Sequence, residues 1–197
     1  MKFGTLTVVI LTSALPVSSL GAGVLKFEID PAHTSITFKV RHMMVSTVVG
    51  TFHRFGGRIE MDTSDITKSR AYGWVDVASI DTRNSRRDDH LRSPDFFNVK
   101  KYPRMSMAVK RIYKKGEEWW ADADLTIKGT TRRVSFPFKW YGPVKDPWGN
   151  LRIGIEARFK IDRYDFGITW NKTMETGGLV VGREVEVELN VEAIHKP

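Results

Sequence analysis

The stretch from Ser79 to Pro103 has the densest set of chemically active side chains in this sequence. Its charged residues stand close together: Arg83, Arg86, Arg87, His90 and Arg92 among Asp88, Asp89 and Asp95. Arg87, His90 and Arg92 could bind the phosphate, pyrophosphate or quinone oxygen of a ligand, because guanidinium and imidazole groups donate charge-assisted hydrogen bonds. The alternative is structural: the arginines pair with the neighbouring aspartates, and the histidine ties the segment to an adjacent strand.

Two other arrangements of reactive residues are weaker candidates. Ser79, Asp81 and His90 could form a hydrolase triad, but the sequence has no G-x-S-x-G turn to hold a nucleophile. A metal site would have to use scattered histidines without cysteine, and the tight H-x-x-x-H spacing does not occur among them: His33, His42, His53 and His90. We therefore expect no catalytic residue, no metal and no cofactor.

The rest of the chain supplies strands that can position such groups. Ile36, Phe38 and Val40 alternate with polar neighbours, and the same period of two recurs in the last strand, where Val187 and Leu189 alternate with glutamates. Eight or nine such segments, joined mostly by short turns, are typical of an all-β antiparallel sandwich or barrel. A closed barrel of about eight strands has no exposed edge and can hold a small ligand.

A short helical crossover interrupts the strands near one end of this predicted barrel. Asp81 or Thr82 is expected to cap a first helical turn, and Ser93 followed by Pro94 to begin a second. The charged side chains of the crossover would face water. Its apolar side chains would face the barrel, with the phenylalanine pair as a plug at the barrel end: Leu91, Phe96 and Phe97.

The inward faces of the predicted strands are aliphatic and aromatic. We take the following as candidate ligand-binding residues of the lumen: Ile36, Phe38, Val40, Ile59, Met61, Val75, Met105, Met107, Leu125, Val134, Phe136, Phe138, Ile155, Phe159, Val187 and Leu189. Alternation alone does not distinguish a hollow barrel from a filled one. In Ala71–Val77 it also leaves open whether the small set with Gly73 and Val75 or the aromatic set with Tyr72 and Trp74 points inward.

Residues 1–22 are typical of a secretory signal peptide. Met1-Lys2 is a positively charged start, Phe3–Leu15 is apolar and uncharged, and small residues follow up to Gly23. We therefore expect cleavage, export to the periplasm and one mature domain over residues 23–197. The chain contains no cysteine, which excludes a disulfide framework and a lipid-modified N-terminal cysteine.

The formal net charge of +8 favours anionic partners. The basic residues are spread along strands and loops without a helix-turn-helix, zinc or base-stacking motif, so we expect no nucleic-acid binding. Transient association with an anionic membrane surface is compatible with this charge. The sequence leaves the oligomeric state open, with a homodimer as one option.

Several motifs resemble those of the YceI-like family, whose members are periplasmic, lipocalin-like proteins that bind polyisoprenoids and similar lipids. The matching segments span nearly the whole mature chain: Asp30–His33, Gly50–Phe52, Ser79–Thr82, Arg87–Leu91, Ser93–Phe97, Tyr102-Pro103, Leu125–Thr131 and Arg163–Gly167. The resemblance implies a lipocalin-like barrel with an apolar lumen that holds an isoprenoid chain. It also implies that the small residues of Ala71–Val77 point inward.

On this resemblance we expect a secreted, periplasmic lipid-binding protein that carries or stores a polyisoprenoid or a similar long-chain amphiphile, such as a quinone side chain, without performing a reaction. The alternative is a secreted enzyme or redox accessory that acts on a lipid or quinone in the same pocket. Polar side chains that converge deep in the lumen would favour it. A third option is a filled barrel that serves as a protein-interaction module.

Overall fold

The described part of the chain contains eleven strands, one α-helix and three short 3₁₀ helices, Ile66–Lys68, Val77–Ser79 and Arg163–Phe166. The computed structural model describes residues 23–174 and 177–196, so the predicted signal peptide at residues 1–22 lies outside it. The strands are β1 Val24–Ile29, β2 Ser35–His42, β3 Ser46–Phe52, β4 Phe55–Asp62, β5 Arg70–Asp76, β6 Ile80–Asp81, β7 Arg104–Lys115, β8 Glu118–Ile127, β9 Thr130–Lys145, β10 Leu151–Asp162 and β11 Val181–His195. Helix α1, Ser85–Arg92, connects β6 to β7. In this part of the chain no helix has both the length and the hydropathy to cross a bilayer.

Eight of these strands close an antiparallel barrel in the order β1-β4-β5-β7-β8-β9-β10-β11, and β11 pairs back with β1. The closing register runs from Phe27 opposite His195 to Ile29 opposite Ala193. The remaining length of the same β11 edge pairs with β2, which continues the sheet to β3 and β6. The predicted all-β barrel is therefore confirmed, and the sandwich alternative is not observed.

Charged side chains on the outer face of β11 hold its register against both neighbours. Lys39 of β2 donates to Glu186 and Glu188 at 3.2 and 3.0 Å, and Arg158 of β10 donates to Glu188 at 3.0 Å. The hydrogen bond that Lys39 donates to Glu188 is the main reason that the pKa of Lys39 is raised. A register slip of one residue would turn these carboxylates into the apolar interior, so the pattern strongly specifies the pairing.

The barrel end beside β1 is filled by tightly packed side chains. Phe27 and Ala193 have no exposed surface, Ile153 is 2% exposed, and Ile59 and Met61 pack with them. We call this the closed end. Apart from Ile153 of β10, these residues come from the three strands that complete the barrel circle, since β1 pairs with both β4 and β11 here.

The crossover contains one helix instead of the two turns predicted. Asn84, not Asp81 or Thr82, is the N-cap of α1, and its side-chain oxygen accepts a 3.0 Å bond from the Arg87 amide. Ser93 is the C-cap and does not begin a second helix. Its carbonyl instead accepts from the amides of Phe96 and Asn98, which closes a turn. The predicted caps were wrong because the Asp81 and Thr82 side chains have other partners.

A buried arginine anchors the irregular segment that follows β10. Arg163 is 4% exposed, and its guanidinium donates only to main-chain carbonyls in the described structure. The acceptors belong to Gly182, Ile168, Trp170 and Val181, at 2.8, 2.6, 2.9 and 3.2 Å. Burial is the main reason that the pKa of Arg163 is lowered. One side chain thereby ties this segment to the start of β11.

Replacing Arg163 with methionine should destabilise the fold by about 3 kcal/mol or more, because the exchange leaves buried carbonyls without donors. Urea unfolding followed by tryptophan fluorescence measures this loss. Arg183→Met is the matched control, since Arg183 lies nearby, is exposed and pairs with Asp162 at 2.5 Å. A loss for Arg163→Met no larger than that for Arg183→Met would contradict the anchoring role.

Candidate functional site

A cavity of about 290 Å³ lies inside the barrel. A single water needs only about 10–15 Å³ of such space, and ligand pockets begin near 300 Å³. The cavity is therefore far larger than a packing defect and approaches the size of a ligand site. The described structure thus has a hollow lumen, which speaks against the filled-barrel alternative.

The lumen is lined almost entirely by apolar side chains. Its lining includes all but two of the candidates proposed from alternation: Ile36, Phe38, Val40, Ile59, Val75, Met105, Met107, Leu125, Phe136, Phe138, Ile155, Phe159, Val187 and Leu189. The exceptions are Met61, which packs into the closed end, and Val134, which packs against the main hydrophobic cluster. The structure thus brings most of the candidates around one space, and their contact with a ligand remains a prediction.

The lining also contains residues that were not among the candidates. Ile29, Phe52, Trp140, Ile161 and Val185 border the lumen. Trp140 and Ile161 continue the inward faces of β9 and β10, so the alternation pattern could have identified them. Ile29 and Phe52 lie at the ends of β1 and β3, where the chain bends and alternation is a weaker guide.

Strand β5 presents its small residues to the lumen, as the family resemblance implied. Val75 is buried, whereas Tyr72 is 42% exposed and Trp74 lies under the Arg104 guanidinium at 4.6 Å. A Cβ added at Gly73 would clash with nothing, since its nearest neighbour would be the Gly56 carbonyl oxygen at 3.8 Å, an ordinary van der Waals contact. The lumen therefore has room for a side chain at Gly73.

Aromatic side chains of the crossover cover the lumen at the end opposite the closed end. Leu91, Phe96 and Phe97 line the cavity, and Phe97 meets Phe52 edge-on at 6.3 Å. Trp170, from the segment that Arg163 anchors, packs 5.2 Å from Phe96. This arrangement matches the apolar plug expected of the phenylalanine pair.

The charged side chains of the crossover mostly fix its shape. Buried Asp88 accepts from the amide and hydroxyl of Thr82 at 3.0 and 2.5 Å, and Arg87 donates to the Thr82 hydroxyl and carbonyl at 2.7 and 2.6 Å. Arg92 donates to the carbonyls of Ala78 and Ile80 at 3.0 and 2.8 Å. These bonds replace the regular pairing that strands provide elsewhere.

A second cavity of about 460 Å³ adjoins the lumen between α1, β2 and the start of β11. We call it the vestibule. Both cavities share these lining residues: Phe38, Val40, Leu91, Phe96 and Val181. Of the three candidate head-group residues, Arg87 and His90 line the vestibule, whereas Arg92 lines neither cavity. Arg41, His42 and Arg86 also line it and were not among those candidates.

The described residues do not assemble the catalytic triad considered from the sequence. The Ser79 hydroxyl donates to the Asp76 carbonyl, Asp81 lies 3.1 Å from His53, and His90 lies 2.9 Å from Asp95. Each of the three groups therefore has a different local partner. This arrangement gives Ser79 no base to activate it.

One group of potential metal ligands occurs in the described part of the chain: Asp30, His33 and Glu192. Both carboxylates already accept from Arg152, which also donates to Asp146 at 2.8 Å. The hydrogen bond from Arg152 holds the pKa of Asp146 well below its usual range. The arrangement is that of an ion-pair network, in which the guanidinium occupies the place between the carboxylates.

Comparison with known proteins agrees with this geometry. A family model described as the YceI-like domain matches residues 27–193. The chain belongs to the YceI-like family. A UPF0312 protein of Staphylococcus epidermidis is 38% identical over 168 residues, which cover 85% of this chain and 96% of the relative. The resemblance carried by the sequence motifs is therefore confirmed.

Solved structures share the YceI-like barrel. The crystal structure of the Campylobacter jejuni YceI protein is 29% identical, with a TM-score of 0.68, and the match covers 81% of this chain and 91% of that one. A polyisoprenoid-binding domain from Saccharophagus degradans is 16% identical, with a TM-score of 0.64, over 87% of this chain and 99% of that one. At that identity the second likeness concerns the fold alone.

Filling the lumen of this YceI-like protein at Gly73 should weaken its binding of apolar probes. A phenylalanine there would occupy much of the cavity without a main-chain clash. We expect at least about tenfold weaker binding of the neutral fluorophore N-phenyl-1-naphthylamine, since lost burial of about 1.4 kcal/mol corresponds to that factor. Fluorescence titration measures it.

Lys139→Phe is the matched control for Gly73→Phe. Lys139 is exposed, and it lies on β9 between two residues that line the lumen, so it points out of the barrel. The control should bind the fluorophore like the wild type. Equal binding by Gly73→Phe and the wild type would contradict the assignment of Gly73 to the lumen.

Proposed function

We propose that this protein is exported to the periplasm, binds one polyisoprenoid or similar long-chain amphiphile in its lumen, and carries or stores it there. The observation that carries the proposal is the apolar cavity of about 290 Å³ enclosed by a closed barrel. The YceI-like fold supports lipid binding. The polyisoprenoid-binding domain of similar fold supports an isoprenoid as the ligand class, and the pattern of residues 1–22 supports export.

Binding in such a lumen would rest on burial of apolar surface. Each buried methylene contributes about 0.8 kcal/mol, whatever its place along the chain. Methionine side chains such as Met105 and Met107 add a lining that adapts to an irregular chain. We therefore expect affinity to rise with chain length until the ligand reaches the closed end, with little discrimination among chains of equal length.

The lumen offers little support for the alternative of an enzyme or redox accessory. Its polar lining residues are few: Thr37, Arg58, Ser69, Arg70, Ser106 and Arg163. The Arg163 guanidinium is committed to main-chain carbonyls, and the Ser69 hydroxyl accepts from the Asp62 amide at 3.0 Å. A catalytic site would need a base and a reacting group that converge on one point. The carrier proposal requires no such convergence.

The hairpin tip between β2 and β3 supports docking on a membrane during ligand exchange. Met43, Met44 and Val45 are 42%, 65% and 80% exposed at this tip. Arg41 holds the tip by donating to the Met44 carbonyl at 2.7 Å and to the Thr47 hydroxyl at 3.0 Å. Exposed apolar side chains next to a cation suit the boundary between lipid head groups and acyl chains. The tip adjoins the vestibule, through which a ligand would reach the lumen.

Protein purified from its own periplasm should carry a prenyl or other long-chain lipid. Native mass spectrometry should show a mass above that of the bare polypeptide, and organic extraction should release one lipid whose mass identifies its chain. The Gly73→Phe variant, purified in the same way, should arrive without it. Wild-type protein that arrives empty and stays empty after incubation with prenyl lipids would contradict the carrier proposal.

The double variant Met44→Ser/Val45→Ser should bind anionic phosphatidylglycerol vesicles more weakly than the wild type, as measured by cosedimentation. Raising NaCl from about 0.1 M to about 1 M should weaken wild-type binding as well, because the Debye length shortens from about 10 Å to about 3 Å. Val24→Ser/Val144→Ser removes two exposed apolar side chains elsewhere, at 56% and 60% exposure, and serves as control. Vesicle binding unaffected by both salt and the tip variant would argue against docking.

A further inference from the structure

The hairpin tip between β2 and β3 has a backbone that its sequence does not favour. The Val45 amide donates to the His42 carbonyl at 3.1 Å, which closes a four-residue turn with Met43 and Met44 at its centre. Both central residues have a positive φ, of 51° and 62°, as in a type I′ turn. Asparagine and glycine are favoured there, because other side chains are strained in the left-handed region. The presence of two methionines therefore points to a role for their side chains.

Exposure separates these two methionines from the others in the described part of the chain. Met43 and Met44 are 42% and 65% exposed, and neither packs into a hydrophobic cluster there. Met61 is buried at the closed end, and Met105 and Met107 line the lumen. An oxidant dissolved in water therefore reaches the two sulfurs of the tip first. Oxidation converts such an apolar thioether into a polar sulfoxide.

Oxidation at the tip would change its polarity without removing a contact that holds the turn. The Arg41 guanidinium fixes the tip through the Met44 carbonyl at 2.7 Å and the Thr47 hydroxyl at 3.0 Å, and neither bond uses a methionine side chain. A sulfoxide at either sulfur would thus add a hydrogen-bond acceptor to a surface that is otherwise apolar. Moving such a polar group out of water is unfavourable unless it finds a donor.

We propose that Met43 and Met44 form a reversible oxidation site that controls the association of this protein with membranes. The inference rests on the proposed docking of the tip on an anionic bilayer. The oxidant class is a peroxide: the thioether sulfur attacks one peroxide oxygen, a sulfur–oxygen bond forms, and the oxygen–oxygen bond breaks. Sulfur loses two electrons, and the second oxygen leaves as water with both protons. Methionine sulfoxide reductases reverse the step with thiols as reductant, one enzyme for each sulfoxide epimer, and the oxygen leaves as water.

The test measures cosedimentation of the mature protein with phosphatidylglycerol vesicles before and after treatment with hydrogen peroxide. Peptide mass mapping should find one added oxygen on Met43 and one on Met44 before Met61, Met105 or Met107 is modified. Oxidised wild type should bind the vesicles at least about tenfold more weakly than reduced wild type, a change that corresponds to about 1.4 kcal/mol. Treatment with both sulfoxide reductases should restore the binding.

The variant Met43→Leu/Met44→Leu removes both sulfurs and keeps the tip apolar. Its vesicle binding should be the same before and after peroxide treatment. Met174→Leu is the matched control, because Met174 is a less exposed methionine outside the tip. This control should lose vesicle binding on oxidation as the wild type does.

The outcomes separate this inference from the docking on which it rests. Reduced wild type that fails to bind the vesicles would overturn docking and its control by oxidation together. Reduced wild type that binds, with equal binding after both tip sulfurs are oxidised, would overturn the control by oxidation and leave docking intact. Earlier oxidation of the lumen methionines than of the tip would overturn it as well. The same holds if the leucine variant loses as much binding on peroxide treatment as the wild type.

Discussion

Hydrogen bonding along β11 is the constraint on which the rest of the structure depends. One edge of this strand pairs with β10 over eleven residue pairs from Arg152 to Asp162. The other edge is divided between β1, which closes the barrel, and β2, which leads away to β3. Where β1 pairs, the interior is filled by Phe27 and Ala193. Where β2 pairs, the wall opens toward the vestibule. One strand thus sets both the closed end and the mouth of the site.

At the mouth of the barrel, buried polar side chains provide the hydrogen bonds that strand pairing provides elsewhere. The crossover and the segment after β10 lack regular pairing, so their main-chain groups need other partners. Asp88, Thr82 and Arg163 supply them, and none of these groups is drawn from the barrel wall. The lumen can therefore stay apolar, because the polar requirements of its cover are met within the cover itself. Of these three polar groups only Arg163 also borders the lumen, and its donors are directed to main-chain carbonyls.

Charged side chains are also arranged differently on the barrel wall and around the mouth of the site. Across β10, β11 and β2, cations and carboxylates alternate and neutralise each other on the outer face. The vestibule lining contains several cationic or protonatable side chains and no carboxylate among the described residues, and the exposed hairpin tip of Met44 and Val45 lies beside it. An apolar tip, a cationic cavity and an apolar lumen follow one another from the outside inward.

By itself, the sequence determined the family, the antiparallel strands and the inner face of most of the wall. Strand side chains alternate with period two, so Phe38, Met107 and Val187 had to share one side once the strands formed. Tertiary structure alone decided that the lumen is hollow, that Met61 packs into the closed end, and that Asn84 caps the helix. It also placed Arg86 and His42 at the vestibule and Arg92 outside it. Such outcomes depend on the distance between walls far apart in sequence and on competition for hydrogen-bond partners, which local patterns do not encode.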